Sequence, residues 1–345
     1  MEDPPAPDVP YPSRHGQSYA RIREGRERLK TLRLVSRRFC LSASARLFRC
    51  IRATISRSIS DDARPLRRLL DLCSSPQAPL VRHLHVGYDY YDYPGTGEWV
   101  PGSRYRLYAE DASRLLPICL SKLSHLQALH VFGPLSSFLT ASVVAEPTRL
   151  FTDAVMSTLR YVRLPCLTEL DLHLPVTHEF GELCTEHLTA SQIPISDVMR
   201  QLRRLEVAVT DYAEFRIFPP REASPSALRG VYGNADFVSS LTKLIELSTS
   251  LESLSICGSY ELNLDALKLN DDVRLKSLRL CKVAMTAETL VRILEQSSSS
   301  LRHLNIADLD SDDWAEVLSK LRACPRTLQW SVSPTYRPGG DTYYL

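Results

Sequence analysis

The sequence has little glycine and lacks the glycine-rich motifs that bind phosphate groups. Its 345 residues include 13 Gly against 22 Pro, and neither a GxGxxG nor a GxxxxGK[ST] pattern occurs. A nucleotide-binding loop needs such glycines so that its backbone can approach the phosphates. The motifs GxSxG and HExxH of common hydrolases are also missing. We therefore expect a protein that is not an enzyme and that carries no cofactor.

Signals for export and membrane insertion are missing as well. The first residues, MEDPPAPDVP, have neither the basic nor the apolar part of a signal peptide, and no apolar run approaches the ~20 residues that cross a bilayer. The nine cysteines are odd in number and form no CxxC pair, and no Asn-x-Ser/Thr site occurs. These features favour reduced thiols, a location in the cytoplasm or nucleus, and no membrane partner.

Charge is nearly balanced overall but not along the chain. The sum of 42 basic and 40 acidic residues is +2, which argues against an electrostatic nucleic-acid binder. Residues 21–57 nevertheless hold 12 basic residues against Glu24 and Glu27, a local charge of +10. Because aromatic residues for base stacking are scarce here, contact with a protein or a solvated face is favoured over nucleic acid. The nucleic-acid alternative would rest on Arg21, Arg23, Arg26 and Arg28.

Helical spacing follows a leader at residues 1–28, which is rich in proline and is expected to be disordered. Within residues 29–60 the apolar spacing predicts two short amphipathic helices, the second capped by Ser42 or Ser44. Their apolar residues are Leu29, Leu32, Val35 and Phe39, then Leu47, Phe48 and Ile51. A further helix is expected near residues 61–72, with Pro65 in its first turn.

Beyond residue 80 a leucine-x-x-leucine-x-leucine pattern returns repeatedly, with Val or Ile replacements. Its copies are Val81/Leu84/Val86, Leu126/Leu129/Val131, Leu167/Leu170/Leu172, Leu202/Leu205/Val207, Leu251/Leu254/Ile256, Leu275/Leu278/Leu280, Leu301/Leu304/Ile306 and a weaker Pro325/Leu328/Trp330. The alternation within each copy predicts a short strand with one buried face.

Helical spacing follows several of these strands, most clearly behind Asp236, Thr286 and Ser311. One strand with one helix cannot bury its own apolar face, so neighbouring copies must stack. The predicted fold is an α/β leucine-rich-repeat solenoid over residues 61–335, with parallel strands on the concave side, helices on the convex side, and a tail at 336–345. Uneven spacing between copies predicts irregular excursions at residues 87–108, 132–153, 173–197 and 208–235.

The segment LRLVSRRF at residues 32–39, followed by LFRCI at 47–51, resembles the second half of an F-box, especially those of filamentous fungi. The leucine-proline element and first helix of an F-box have no counterpart in residues 1–28. The resemblance implies that the chain binds a Skp-type adaptor and a cullin and selects a protein substrate for ubiquitination. The alternative is a repeat scaffold without a ligase. Adaptor contact would fall to Leu32, Val35, Phe39, Leu47, Phe48 and Ile51.

Two sets of residues are candidates for binding the protein substrate. Positions between the repeat leucines should point away from the core and form one exposed row of His85, His130, Asp171, Glu206, Ser255, Arg279 and Asn305. A tyrosine-rich loop with Tyr88, Tyr90, Tyr91 and Tyr93 could add aromatic anchors, because such rings dominate binding hot spots. The alternative reading of these tyrosines, together with Trp99, Tyr105 and Tyr108, is a cap on the first repeat.

No metal ligand set is expected from the sequence. His178, Cys184 and His187 match no zinc-finger spacing, and the Asp308, Asp310, Asp312 triplet lacks the glycine and glutamate of a calcium loop. Cys257 and Cys281, which hold matching places in successive repeats, are expected to pack in the interior without a redox role.

Overall fold

The fold is seen in a computed structural model that describes residues 25, 27–55, 64–88, 102–133, 141–174, 195–209, 238–258, 262–311, 317–319 and 329–333. The chain divides into two compact units, Met1–Cys50 and Ile51–Leu345.

The first unit is helical, but its helices differ from the prediction. Residues 27–32 are helical, and α1 spans Arg37–Leu47. Ser36 caps α1, its hydroxyl oxygen accepting a hydrogen bond from the Phe39 N–H at 3.3 Å. The predicted break at 42–44 is wrong: these serines lie inside α1, where serine costs only a few tenths of a kcal/mol.

The predicted second helix is also wrong, because strand β1 (Cys50–Ile55) contains Ile51. The sequence CIRATI is rich in β-branched residues, which favour a strand that has a neighbour to pair with.

Nine strands of the described residues form one sheet in strict sequence order. After β1 they are β2 (His83–Tyr88), β3 (Ala128–Phe132), β4 (Glu169–His173), β5 (Arg204–Ala208), β6 (Ser253–Cys257), β7 (Ser277–Cys281), β8 (His303–Ala307) and β9 (Gln329–Ser333). Every pair from β2 to β9 is parallel. The chain is therefore an α/β protein with a parallel sheet, as predicted.

The repeat residues set the register of this sheet. Leu84, Leu129 and Leu170 are paired in turn, and the column continues through Leu205, Leu254, Leu278 and Leu304. All seven are almost completely buried, and each is worth roughly 2 kcal/mol in apolar burial. The eighth predicted copy is displaced by two residues, because Trp330 and not Leu328 pairs with Leu304.

A column of backbone hydrogen bonds joins the residues that lie just before successive strands. The N–H of Gln127 donates to Arg82 O at 2.7 Å, and that of Thr168 donates to Gln127 O at 2.8 Å. The same bond then recurs at Arg203, Glu252, Lys276, Arg302 and Gln329. Each repeat is thus joined to the preceding one by the same bond, although the connections between strands differ in length.

The described residues contain seven α-helices of seven residues or more, and three of those in the second unit were predicted. The helices after α1 are α2 (Pro65–Cys73), α3 (Gly102–Lys122), α4 (Ala141–Tyr161), α5 (Ile195–Gln201), α6 (Val238–Glu246) and α7 (Ala287–Gln296). Pro65 begins α2, and the Thr286 hydroxyl caps α7, both as expected. Helix α6 lies where helical spacing was predicted after Asp236, and it buries Leu241, Leu244 and Ile245.

Two of the predicted excursions are helical in part. Helix α3 takes up 102–108 and α4 takes up 141–153, in spite of Pro117 and Pro147 inside them. Tyr108 on α3 and Phe151 on α4 are buried against each other and against Tyr88. The burial of these rings stabilises helices in stretches that the uneven repeat spacing had marked as irregular. Residues 210–237 lie outside the described part of the chain.

Within the described ranges, no helix is both long and apolar enough to cross a bilayer. The cysteines in those ranges are all free thiols.

Candidate functional site

The side of the sheet opposite the leucine column is polar, and its central row has the predicted members. His85 pairs with His130, His130 with Asp171, and Asp171 with Glu206. The row then runs through Ser255, Arg279 and Asn305. We call this row, with its immediate neighbours on the same side, the polar face.

The central row is not uniformly exposed, as the prediction had it. His130 and Ser255 are 6% and 9% exposed. The ring of His85 stacks on that of His130 with centroids 4.3 Å apart, and this stack shields His130 from water. Arg279 and Asn305 remain accessible. The predicted contact residues thus range from deeply recessed near β3 to open near β8.

A second row of the polar face lies two residues along each strand. It contains Phe132, His173, Ala208, Cys257 and Cys281 in register. The expectation that the two cysteines pack in the interior is wrong, since alternation turns Leu254 and Ile256 inward and Cys257 to the other side. A hydrogen bond from the Cys257 thiol lowers the pKa of Cys281 to about 7. Cys281 is therefore the more acidic thiol of a half-buried pair.

An acid–histidine cluster connects the two rows at β3, β4 and β5. His130 Nδ1 lies 3.1 Å from Asp171 Oδ2, and His173 Nε2 lies 2.8 Å from Asp171 Oδ1. The same His173 nitrogen is 3.7 Å from Glu206 Oε1. Asp171 and His173 reach one point because they are two residues apart on β4, while Glu206 is the partner of Asp171 on β5.

Two arginines border this cluster. Arg204 Nη2 lies 3.5 Å from Glu206 Oε2, and Arg279 Nη1 lies 3.9 Å from Glu206 Oε1. The Arg279 side chain is half exposed, so its contribution to Glu206 is weakened by water.

The protonation of the cluster follows from its surroundings. Burial acts to raise the pKa of Asp171, but its contacts with His130 and His173 outweigh burial and hold that pKa below its usual range. Burial, with the charges of His130 and Arg52 nearby, lowers the pKa of His85 to about 3. At neutral pH the site therefore presents an ionised Asp171 on β4 and, on the other side of His130, a neutral His85 on β2.

Tyr88, the first of the predicted recognition tyrosines, lies in the core at the end of β2. Tyr88 is buried, because it continues the inward alternation of Leu84 and Val86, so the prediction that it contacts a partner is wrong. Its ring packs against Tyr105, Tyr108 and Phe151. The Tyr108 hydroxyl accepts from the Gly87 N–H at 2.7 Å and donates to Ala53 O at 2.5 Å.

This burial favours the capping interpretation for Tyr88, Tyr105 and Tyr108. The predictions for Tyr90, Tyr91, Tyr93 and Trp99 fall outside the described residues, as does the His178, Cys184 and His187 set.

The predicted adaptor residues divide into accessible and buried groups. Leu32, Val35 and Phe39 are exposed, Phe39 by 51%, and Leu34 and Leu41 beside them are more exposed still. Leu47 is buried and is not available to a partner, contrary to the prediction. Phe48 and Ile51 are half-buried. The Phe48 ring lies beneath the Arg33 guanidinium at 5.1 Å.

Sequence reasoning placed Asp171 and Glu206 together but missed His173. The missed signal is simple, since His173 lies two residues from Asp171 on the same strand and must share its face.

The class of protein defined by these features is an α/β protein whose parallel sheet carries a polar face with an acid–histidine cluster. No family model matches the chain, and no curated protein is significantly similar to it.

Proposed function

We propose that the chain is the substrate-recognition subunit of an SCF-type (Skp–cullin–F-box) ubiquitin ligase, with divergent leucine-rich repeats that bind the substrate. The observation that carries this proposal is the distribution of exposed apolar side chains. Of the eight large apolar residues exposed in the described ranges, five lie between residues 32 and 41. They are Leu32, Leu34, Val35, Phe39 and Leu41.

Such a concentration is unfavourable in water unless a partner covers it. The same short segment resembles the adaptor-binding part of an F-box, so a Skp-type adaptor is the occupant we assign. The charge of the segment supports a protein with an acidic rim, because Arg28, Lys30, Arg33, Arg37 and Arg38 accompany only Glu27.

The polar face supports the substrate-binding half of the proposal. Its central row offers donors, acceptors and charges in a line across seven strands, from His85 to Asn305. A parallel sheet fixed by a buried leucine column holds these groups at constant spacing, which favours binding without rearrangement. Arg279 and Asn305 are the accessible members that a substrate meets first.

The test is co-purification of a Skp-type adaptor with the full chain. Phe39→Asp places a charge in the exposed apolar patch and should remove the adaptor. Ile118→Asp is the matched control, because Ile118 is 46% exposed on α3, outside the patch. This control should recover as much adaptor as the wild type.

Equal adaptor recovery with both variants would contradict the proposal. Failure of the wild type to recover any adaptor or cullin would favour the alternative of a binding scaffold without ligase association.

A further inference from the structure

Three potential ligand atoms converge on the polar face at the join of β4 and β5. They belong to Asp171, His173 and Glu206, one ligand atom from each, and they lie within 4.8 Å of one another. From these atoms we propose that the polar face contains a binding site for one divalent transition-metal cation of the Zn²⁺ type. The inference does not depend on the proposed function, because the chain alone provides the ligands.

The separations between the atoms fit a common cation. Bonds of about 2.0–2.1 Å in a tetrahedral arrangement place neighbouring ligand atoms about 3.3 Å apart. The measured distances from His173 Nε2 are 2.8 Å to Asp171 Oδ1 and 3.7 Å to Glu206 Oε1, on either side of that value.

The second oxygen of each carboxylate is already held by another side chain. His130 Nδ1 lies 3.1 Å from Asp171 Oδ2, and Arg204 Nη2 lies 3.5 Å from Glu206 Oε2. Metal-binding carboxylates are usually oriented by such outer contacts. The contacts leave Oδ1 and Oε1 directed toward His173.

Asp171 is the central residue of the three. Its Oδ1 atom is buried and lies 2.8 Å from His173 Nε2. At that distance the two atoms share a proton, and a cation bound to both atoms would take the place of this proton.

The ligand set selects the class of cation. Mg²⁺ and Ca²⁺ prefer oxygen ligands alone, whereas one imidazole with two carboxylates suits Zn²⁺ and its first-row neighbours. Two carboxylates also neutralise a charge of +2. The three side chains remain 14–22% exposed, which leaves room for an ion to enter and for water or a partner's side chain as a fourth ligand. Arg279 Nη1 is 3.9 Å from Glu206 Oε1, and its half-exposed side chain has water beside it into which it can turn.

The test uses the full chain, freed of metal by a chelator and titrated with Zn²⁺ in a calorimeter. One Zn²⁺ per chain should bind, and excess Mg²⁺ should not displace it. His173→Ala should weaken binding by more than about tenfold, and His130→Ala by about tenfold through the orientation of Asp171. The matched control is His303→Ala, a histidine on the same side of β8 and remote from the cluster, which should bind Zn²⁺ as the wild type does.

Two further measurements separate loss of the site from loss of the fold and from binding at thiols. Zn²⁺ should raise the thermal midpoint of the wild type but not that of Glu206→Gln, which keeps its size and its strand. Co²⁺ bound in place of Zn²⁺ should show no thiolate charge-transfer band. Absence of stoichiometric Zn²⁺ binding, equal affinity in His173→Ala, or a thiolate band that disappears in Cys281→Ser would each overturn the proposal.

Discussion

At the scale of single residues, Gly87 shows how one position near the end of β2 decides the local packing. Its φ is +113°, a backbone conformation that residues with a side chain rarely adopt, and a Cβ atom there would clash with the carbonyl oxygen of Phe132. Only glycine permits this approach. The same approach lets the Gly87 N–H reach the buried Tyr108 hydroxyl.

His85 provides a prediction at the same scale. Its folded pKa of about 3 lies below the ~6.5 of an unfolded histidine, so below pH ~6.5 the unfolded chain binds a proton that the folded chain does not. Stability should therefore fall between pH 6.5 and 3. Between pH 7 and pH 4.5 the wild type should lose about 2 kcal/mol more than His85→Gln, measured by urea unfolding.

The charged and titratable groups around His85 are Arg52, His83, His130 and Asp171, and all of them remain in that variant. His303→Gln is the control, and because His303 is exposed it should keep the wild-type dependence. Parallel pH dependence of the wild type and His85→Gln would show that His85 is not the group responsible.

At the scale of secondary-structure elements, strands β2 to β8 were predictable, whereas β1 and several helices were not. The pattern Leu304-Asn305-Ile306 specifies by local alternation alone which side chains are buried, and the register agrees with it. Helices α3 and α4 escaped prediction because contacts between Tyr88, Tyr108 and Phe151 stabilise them, and these contacts join positions far apart in the sequence.

The acid–histidine cluster was half predictable for the same reason. Asp171 and Glu206 could be aligned from the repeat spacing, but their distances to His173 depend on side-chain conformations that no sequence pattern specifies.

A prediction about β8 tests the assigned register. Leu304 is 2% exposed in the leucine column, so Leu304→Ala should destabilise the chain by roughly 2 to 5 kcal/mol. Arg302→Ala should cost little, because Arg302 is exposed just before the strand. Midpoints of urea unfolding measure both, and similar shifts for the two variants would contradict the register.

At the scale of the second unit, each strand from β2 to β8 lies between its sequence neighbours. Contacts between elements are correspondingly local, which distinguishes this arrangement from a sheet in which distant strands pair. A destabilising substitution at one end of the sheet should therefore loosen only the adjacent repeats.

Leu84→Ala tests this locality. The cavity in β2 should increase amide hydrogen exchange in β2 and β3 and leave β7 and β8 close to the wild type, because opening propagates through neighbours only. Hydrogen exchange followed by mass spectrometry measures each strand separately. A uniform increase over all strands would instead show that the sheet unfolds as one cooperative block.

The backbone bonds that link Arg82, Gln127, Thr168 and their successors have a consequence for how such a chain can change. Strand starts are 45 residues apart from β2 to β3 but 24 residues apart from β6 to β7. The same backbone hydrogen bond nevertheless joins each repeat to the next. Segment length between strands is thus uncoupled from strand alignment. Insertions and deletions in these connections can accumulate over evolution, or be engineered as sites for grafted loops, while the spacing of the side chains on the polar face is preserved.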